Sequence, residues 1–143
     1  MPNADDERLL RRAIELSAEA LAGGNPPFGS LLAGPDGAVL AEERNTSVTD
    51  SDITAHPELK LARWAAASLD REAAAGTTMY TSCQPCGMCS GAIARSGLGR
   101  VVYALSSEQL GSLGATSPDA RPVVLDGPAL FEEARVPVEG YYG

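Results

Sequence analysis

The sequence predicts an α/β domain in three layers, a central mixed sheet of about five strands with helices on both faces. Two observations carry this. Stretches with helical spacing of apolar residues alternate with short strand-like stretches, and an early hairpin signal demands antiparallel pairing inside a sheet whose later strands are joined through helices. The chain of 143 residues, 44% of them apolar, reads as a single domain able to bury roughly two thirds of its unfolded surface.

The elements follow in order. Asp5 to Leu21 places Leu9, Leu10, Ala13, Ile14, Leu16, Ala20 and Leu21 on the three-to-four spacing of an amphipathic helix that stops at Gly23-Gly24. Asn25-Pro26-Pro27 resets the chain to extended geometry. Strands are expected over Phe28–Ala33 and Ala38–Glu43, with Asp36-Gly37 turning between them. The polar run Asn45–Ala55 is a loop leading to His56, and Pro57, suited to a first helical turn, starts a helix to about Leu69. A strand over Thr77–Ser82, a helix from Pro85 to about Ser96 ended by Gly97, and a strand over Arg100–Leu105 come next. Ser106–Ala120 is weakly patterned and holds at most a short helix. Pro122–Leu125 is the fifth strand, Ala129–Ala134 a final helix, and Arg135–Gly143 a tail.

Charge narrows the function. The net charge is −8, with Lys60 the single lysine and ten scattered arginines. Without a basic run to neutralise phosphates, the balance counts against nucleic acid as partner. The start MPNADDERLL has no basic or apolar leader character, and no long apolar run follows, so no membrane span is expected and a cytoplasmic location is. Cys83, Cys86 and Cys89, an odd number in one tight cluster, suit metal binding in a reducing compartment better than disulfides.

His56, the sole histidine, stands two residues before Glu58, and Pro85-Cys86-Gly87-Met88-Cys89 follows. A zinc ion that does chemistry takes three protein ligands and keeps one position for water. His56, Cys86 and Cys89 supply three, which leaves Glu58 to move protons. Cys86 and Cys89, three apart at a helix start, present their sulfurs on one face where the helix N-terminus favours thiolates. Either half alone is commonplace: Cys-x-x-Cys also builds structural zinc half-sites and redox pairs. Together, His-x-Glu followed by Pro-Cys-x-x-Cys is the pattern of zinc deaminases, with the glutamate acting on protons.

With these motifs in place the chain resembles the cytidine and deoxycytidylate deaminase superfamily, and within it the guanine deaminase, cytosine deaminase and tRNA adenosine deaminase branch. Thr54-Ala55-His56-Pro57-Glu58 and Tyr80-Thr81-Ser82-Cys83-Gln84-Pro85-Cys86-Gly87-Met88-Cys89 are similar to its two metal-site motifs, and Asn25-Pro26-Pro27-Phe28-Gly29 to the segment opening its first strand. The resemblance implies a cytidine deaminase-like fold, a Zn2+ cofactor and a homodimer. It also implies hydrolytic exchange of an amino group on a small heterocycle for a keto group, with release of ammonia. Asn45, eleven residues before His56, stands where the branch has a base-contacting asparagine; Phe28 would form a stacking wall.

Pro57 departs from the pattern. The branch usually has a small residue there whose backbone N–H reaches the bound base, and proline has none. A donor missing opposite a buried acceptor costs about 1–3 kcal/mol, which turns the expectation from cytosine towards a guanine-like purine. The segment after Ser107 lacks the branch's acidic and glycine pattern, so guanine itself is not fixed. Tyr141 and Tyr142 at the end of the chain are either simple edge packing or a lid over the pocket, from this subunit or its neighbour. Two rivals remain, a tRNA adenosine deaminase and a structural Cys3His module closed by Cys83. Cys83 is taken as buried or pocket-lining, because a fourth thiolate would exclude water from the metal.

Overall fold

The structure, a computed structural model, describes residues 1–115 and 121–143. Helix α1 runs Ala4–Ala22. It starts where Asn3 and Asp6 cap each other, the Asn3 Oδ1 accepting from the Asp6 N–H and the Asp6 carboxylate from the Asn3 N–H, both at 2.9 Å. Its buried face is Leu9, Leu10, Ala13, Leu16 and Ala20, the apolar stripe the spacing predicts except for Ile14 and Leu21, which are exposed. Gly29 opens β1 (Gly29–Ala33) against this helix. A Cβ there would lie 2.5 Å from Leu16 Cβ and from the Ser17 nitrogen, so the close approach of strand and helix requires glycine. The turn into β2 (Val39–Arg44) closes with the Gly34 N–H donating to the Ala38 carbonyl, Asp36 accepting from the Ala38 N–H, and Gly37 at φ +82°.

Helix α2 spans Pro57–Ser68 and a short α3 spans Arg71–Ala75. Asp70, just past α2, caps α3 by accepting from the Ala73 N–H at 2.8 Å. Strand β3 (Thr78–Cys83) leads into α4 (Gly87–Ser96), which ends at Gly97 with φ +90°, and β4 (Arg100–Leu105) follows. The sheet order is β2-β1-β3-β4, antiparallel except for the parallel pair β3 and β4. Alternation of side chains across the sheet divides the core in two. Leu31, Ala33, Tyr80 and Val102 meet α1 through Leu9 and Leu10 on one face. Leu32 and Met79 meet Leu61 and Ala65 of α2 on the other, flanked by Ile93 of α4. The three layers stand as predicted.

Two expectations are corrected. Among the described residues the sheet has four strands, not five: residues 121–130 hold no regular structure, and Val123, Val124 and Leu125 are 80–94% exposed. Their composition suits a strand, but a strand forms only when a neighbouring edge takes its N–H and C=O groups. The final helix is also longer than expected. Helix α6 runs Phe131–Tyr142, through Pro137, and absorbs the tail. Arg135 donates to Glu132 at 2.8 Å and to Glu139 at 2.7 Å, bridging the proline along the helix surface. In the weakly patterned stretch, α5 occupies Ser107–Ser112; the end of that stretch, residues 116–120, lies outside the described residues. No helix among the described residues is long and apolar enough to cross a membrane.

Candidate metal centre and substrate cleft

Helices α2 and α4 bring their first turns together. His56 is the N-cap of α2 and Cys86 the N-cap of α4, and neither spends its side chain on capping. Cys89 lies in the first turn of α4 and is buried. The helix therefore begins just after Cys86, slightly later than expected, and leaves that exposed sulfur free to face His56. Cys89 Sγ is 3.6 Å and Cys86 Sγ 3.8 Å from His56 Nδ1, and one ligand atom from each residue lies within 4.8 Å of the others. A tetrahedral zinc with bonds of about 2.3 Å to sulfur and about 2.0 Å to nitrogen places such pairs roughly 3.6 Å apart. The donor set and its spacing fit Zn2+. Two helix N-termini add partial positive charge where the thiolates lie. Cys83, at the end of β3, is buried and outside this group.

Burial sets the protonation of each group. It lowers the pKa of His56 and so favours the neutral imidazole that ligates metal. It pushes the Cys89 thiol up, and the charges of Glu58 and Cys86 push the same way. A divalent cation offsets all three effects by binding the thiolate. Glu58, 6% exposed in the first turn of α2, has its pKa raised by burial, with its own backbone N–H and the neighbouring Ser30 and Cys89 side chains pulling the other way. Among the described residues no positively charged side chain contributes to its shift. Ser30 is in turn 2.7 Å from the Thr81 hydroxyl.

A cleft of about 570 Å³ reaches this corner, lined by Pro26, Phe28, Asn45, Ser47, Ser51, Asp52, Ile53 and His56. That volume lies within the range of small-molecule sites, roughly 300–1,000 Å³. The Asn45 N–H donates to the Phe28 carbonyl at 3.0 Å, which joins the two expected base-contacting residues. The structure thus assembles His56, Cys86, Cys89 and Glu58 at one corner and puts Asn45 and Phe28 beside His56. Pro57 is buried in the first turn of α2 and is not among the residues lining the cleft. Tyr141 and Tyr142 are 83% and 81% exposed, packed edge to face on each other, and are not brought to it. Two candidate residues were not singled out from the sequence. Ser47 follows Asn45 at the spacing of an Asx turn, a usable signal; Ser30 is a polar residue in a strand buried at every position.

Comparison with known proteins agrees with this centre. Residues 3–105 match the family model described as the cytidine and deoxycytidylate deaminase zinc-binding region. The guanine deaminase of Bacillus subtilis is 35% identical over 93% of this chain and 79% of its own length. Its crystal structure superposes with a TM-score of 0.78 over 95% of this chain and 92% of that one, at 30% identity. The probable cytosine deaminase of Schizosaccharomyces pombe is 32% identical over 96% of this chain and 92% of its own. The tRNA-specific adenosine deaminase of Haemophilus influenzae is 34% identical over 77% of this chain. This chain spans 64% of the Haemophilus protein and only 21% of another relative that it matches over 78% of its own residues. With a matched region that includes every residue of the donor set and the glutamate beside it, the chain belongs to the cytidine and deoxycytidylate deaminase family of zinc-binding proteins.

Proposed function

We propose that the protein is a zinc-dependent hydrolytic deaminase of a free nucleobase, with a guanine-like purine favoured. The observation that carries this reading is the incomplete donor set: three ligand atoms within 4.8 Å of one another, a buried carboxylate two residues from one of them, and a cleft ending at His56. Zinc held by His56, Cys86 and Cys89 would supply Lewis acidity and a water of lowered pKa, about 7 in favourable sites. Glu58 would hold and move the protons of the attacking water, one to the ring nitrogen beside the amidine-like carbon and the other to the amino group, which leaves as ammonia. Its raised pKa suits a group that must both take and give a proton. Phe28 offers a face to the planar ring and Asn45 an amide to its edge.

The substrate class is supported by chemistry and by similarity. Pro57 offers no backbone donor to a ring carbonyl, which weakens the case for cytosine. Identity leans the same way, 35% to the guanine deaminase against 32% to the cytosine deaminase. The tRNA reading is disfavoured by the net charge of −8, and thiolate ligands suit a reducing cytosol. The test is ammonia release by zinc-loaded protein over guanine, cytosine, adenine, their nucleosides, aminotriazines and tRNA. Guanine or a related purine should have the highest kcat/KM. Turnover confined to cytosine or to tRNA would refute the substrate assignment.

The protein acts as a homodimer in this reading. Val123, Val124, Leu125, Phe131, Tyr141 and Tyr142 are between 70% and 94% exposed, six large apolar or aromatic side chains left to water in the last part of the chain. A second copy covers this arm, and the tyrosine pair serves as a lid. Sedimentation should give a dimer, and removing residues 141–143 should lower turnover; a monomer with wild-type turnover after truncation would remove both ideas.

A further inference from the structure

The amide of Asn45 is not free to rotate. Its Oδ1 accepts from the Ser47 N–H at 2.8 Å and from the Ser47 hydroxyl at 2.8 Å. A backbone N–H has no lone pair, so only the oxygen of the amide can face it, and the orientation is settled by chemistry. The Asn45 NH2 therefore points the other way. Among the described residues it makes no hydrogen bond, yet no fully enclosed side-chain nitrogen or oxygen lacks a partner. Since Asn45 is only 1% exposed, the open space its Nδ2 touches is the cleft, whose lining includes both Asn45 and Ser47.

We propose that Ser47 is a positioning residue that holds Asn45 as a donor only, so that the cleft selects heterocycles presenting a ring-nitrogen lone pair or a carbonyl oxygen at that edge. An unanchored asparagine could offer its oxygen or its nitrogen and would accept either kind of ring edge. One held by two donors cannot, and a ring bearing N–H or C–H there leaves a buried donor unpaired. The inference rests on the reading of the cleft as a nucleobase site. It deepens that reading by stating the polarity of the edge recognised.

The test uses full-length, zinc-loaded protein with guanine as substrate and xanthine, the product guanine would give, as a ligand followed by calorimetry. Ser47→Ala keeps the backbone donor and loses the hydroxyl. It should raise KM for guanine and Kd for xanthine together by about five- to tenfold, with kcat within about twofold, because binding is lost equally before and during reaction. Ser47→Thr, which keeps the hydroxyl, should restore both. In an Asn45→Ala background, Ser47→Ala should have no further effect on either constant, whereas a merely structural serine would still add its own. Wild-type constants for Ser47→Ala, or an undiminished effect in the Asn45→Ala background, would overturn the inference while leaving deamination standing. Wild-type protein with one zinc per chain that releases ammonia from no base would overturn both.

Discussion

Asp6 and Glu58 are both buried carboxylates, 3% and 6% exposed, and the protein treats them in opposite ways. Asp6 receives two hydrogen bonds of 2.9 Å from the Arg100 guanidinium, one of 2.7 Å from the Tyr80 hydroxyl and one of 2.9 Å from the Asn3 N–H. The Arg100 guanidinium, the Asn3 N–H and the Tyr80 hydroxyl hold its carboxyl far below the usual carboxylate range, against the opposing effect of burial. Glu58 has its pKa raised, because burial outweighs one backbone N–H, one hydroxyl and one thiol. Burial alone does not decide the charge of a group; the charge and number of its partners do. Asp6 is committed to holding the start of α1 against β3 and β4. Glu58 keeps a proton affinity it can use.

Substitution should separate the two carboxylates by what is lost. The largest expected effect is on turnover: Glu58→Gln should lower kcat by about 10²–10⁴-fold, retain one zinc per chain by metal analysis, and leave the melting temperature no lower than wild type. Asp6→Asn should do the reverse. Its kcat per folded molecule should match wild type while unfolding free energy falls by about 1–3 kcal/mol, towards the lower end because the Arg100 side chain is 46% exposed and returns readily to water. Comparable losses of kcat in the two variants would erase the contrast.

Acid and base titration of stability sharpens it further, and the expected effects are smaller. The folded pKa of Asp6 lies below its ordinary 3.8, so its contribution is full above about pH 4 and is lost as pH falls towards the folded value. Asp6→Asn should therefore flatten the acid limb of a stability–pH curve. For Glu58 the sign is opposite. Its folded pKa lies above the ordinary 4.5, so its contribution is present below that value and is lost as pH rises through the raised one. In metal-free protein Glu58→Gln should flatten the loss on that side. Denaturant melts across pH 2–8 read both limbs.

The metal corner was legible in the sequence because its geometry is local. Pro57 opens α2 and Pro85 stands just ahead of the Cys86 N-cap of α4, and residues at or just inside a helix start have their side chains fixed relative to its axis, so His56, Cys86 and Cys89 could be assigned before any fold was known. The Asp6 corner was not, since Asp6, Tyr80 and Arg100 are distant in the chain and meet only once α1 packs on the sheet. The hold of Ser47 on Asn45 depended on the conformation of one turn. Pro122–Leu125 misled for a different reason, as strand composition describes what a segment can do when an edge accepts it. The expected end of the last helix at Ala134 fell short because Arg135 ties Glu132 to Glu139 across Pro137.

Cys83 tests where the reactive corner ends, and the expected effect is the smallest of the set. It is 6% exposed, at the end of the strand that delivers Cys86, and the charge of Glu58 adds to burial in pushing its thiol up, against a hydrogen bond from Ser82. A thiol held neutral behaves as a small apolar side chain. It cannot close the zinc position while His56, Cys86 and Cys89 form the donor group without it. Cys83→Ser should therefore keep one zinc per chain and wild-type turnover, at a cost within about 1–2 kcal/mol for placing a hydroxyl in that site. Cys89→Ser, a few residues further on, should lose the metal. Zinc stoichiometry falling together in both variants would make the centre a closed four-ligand site, and Glu58 would then have no water to act on.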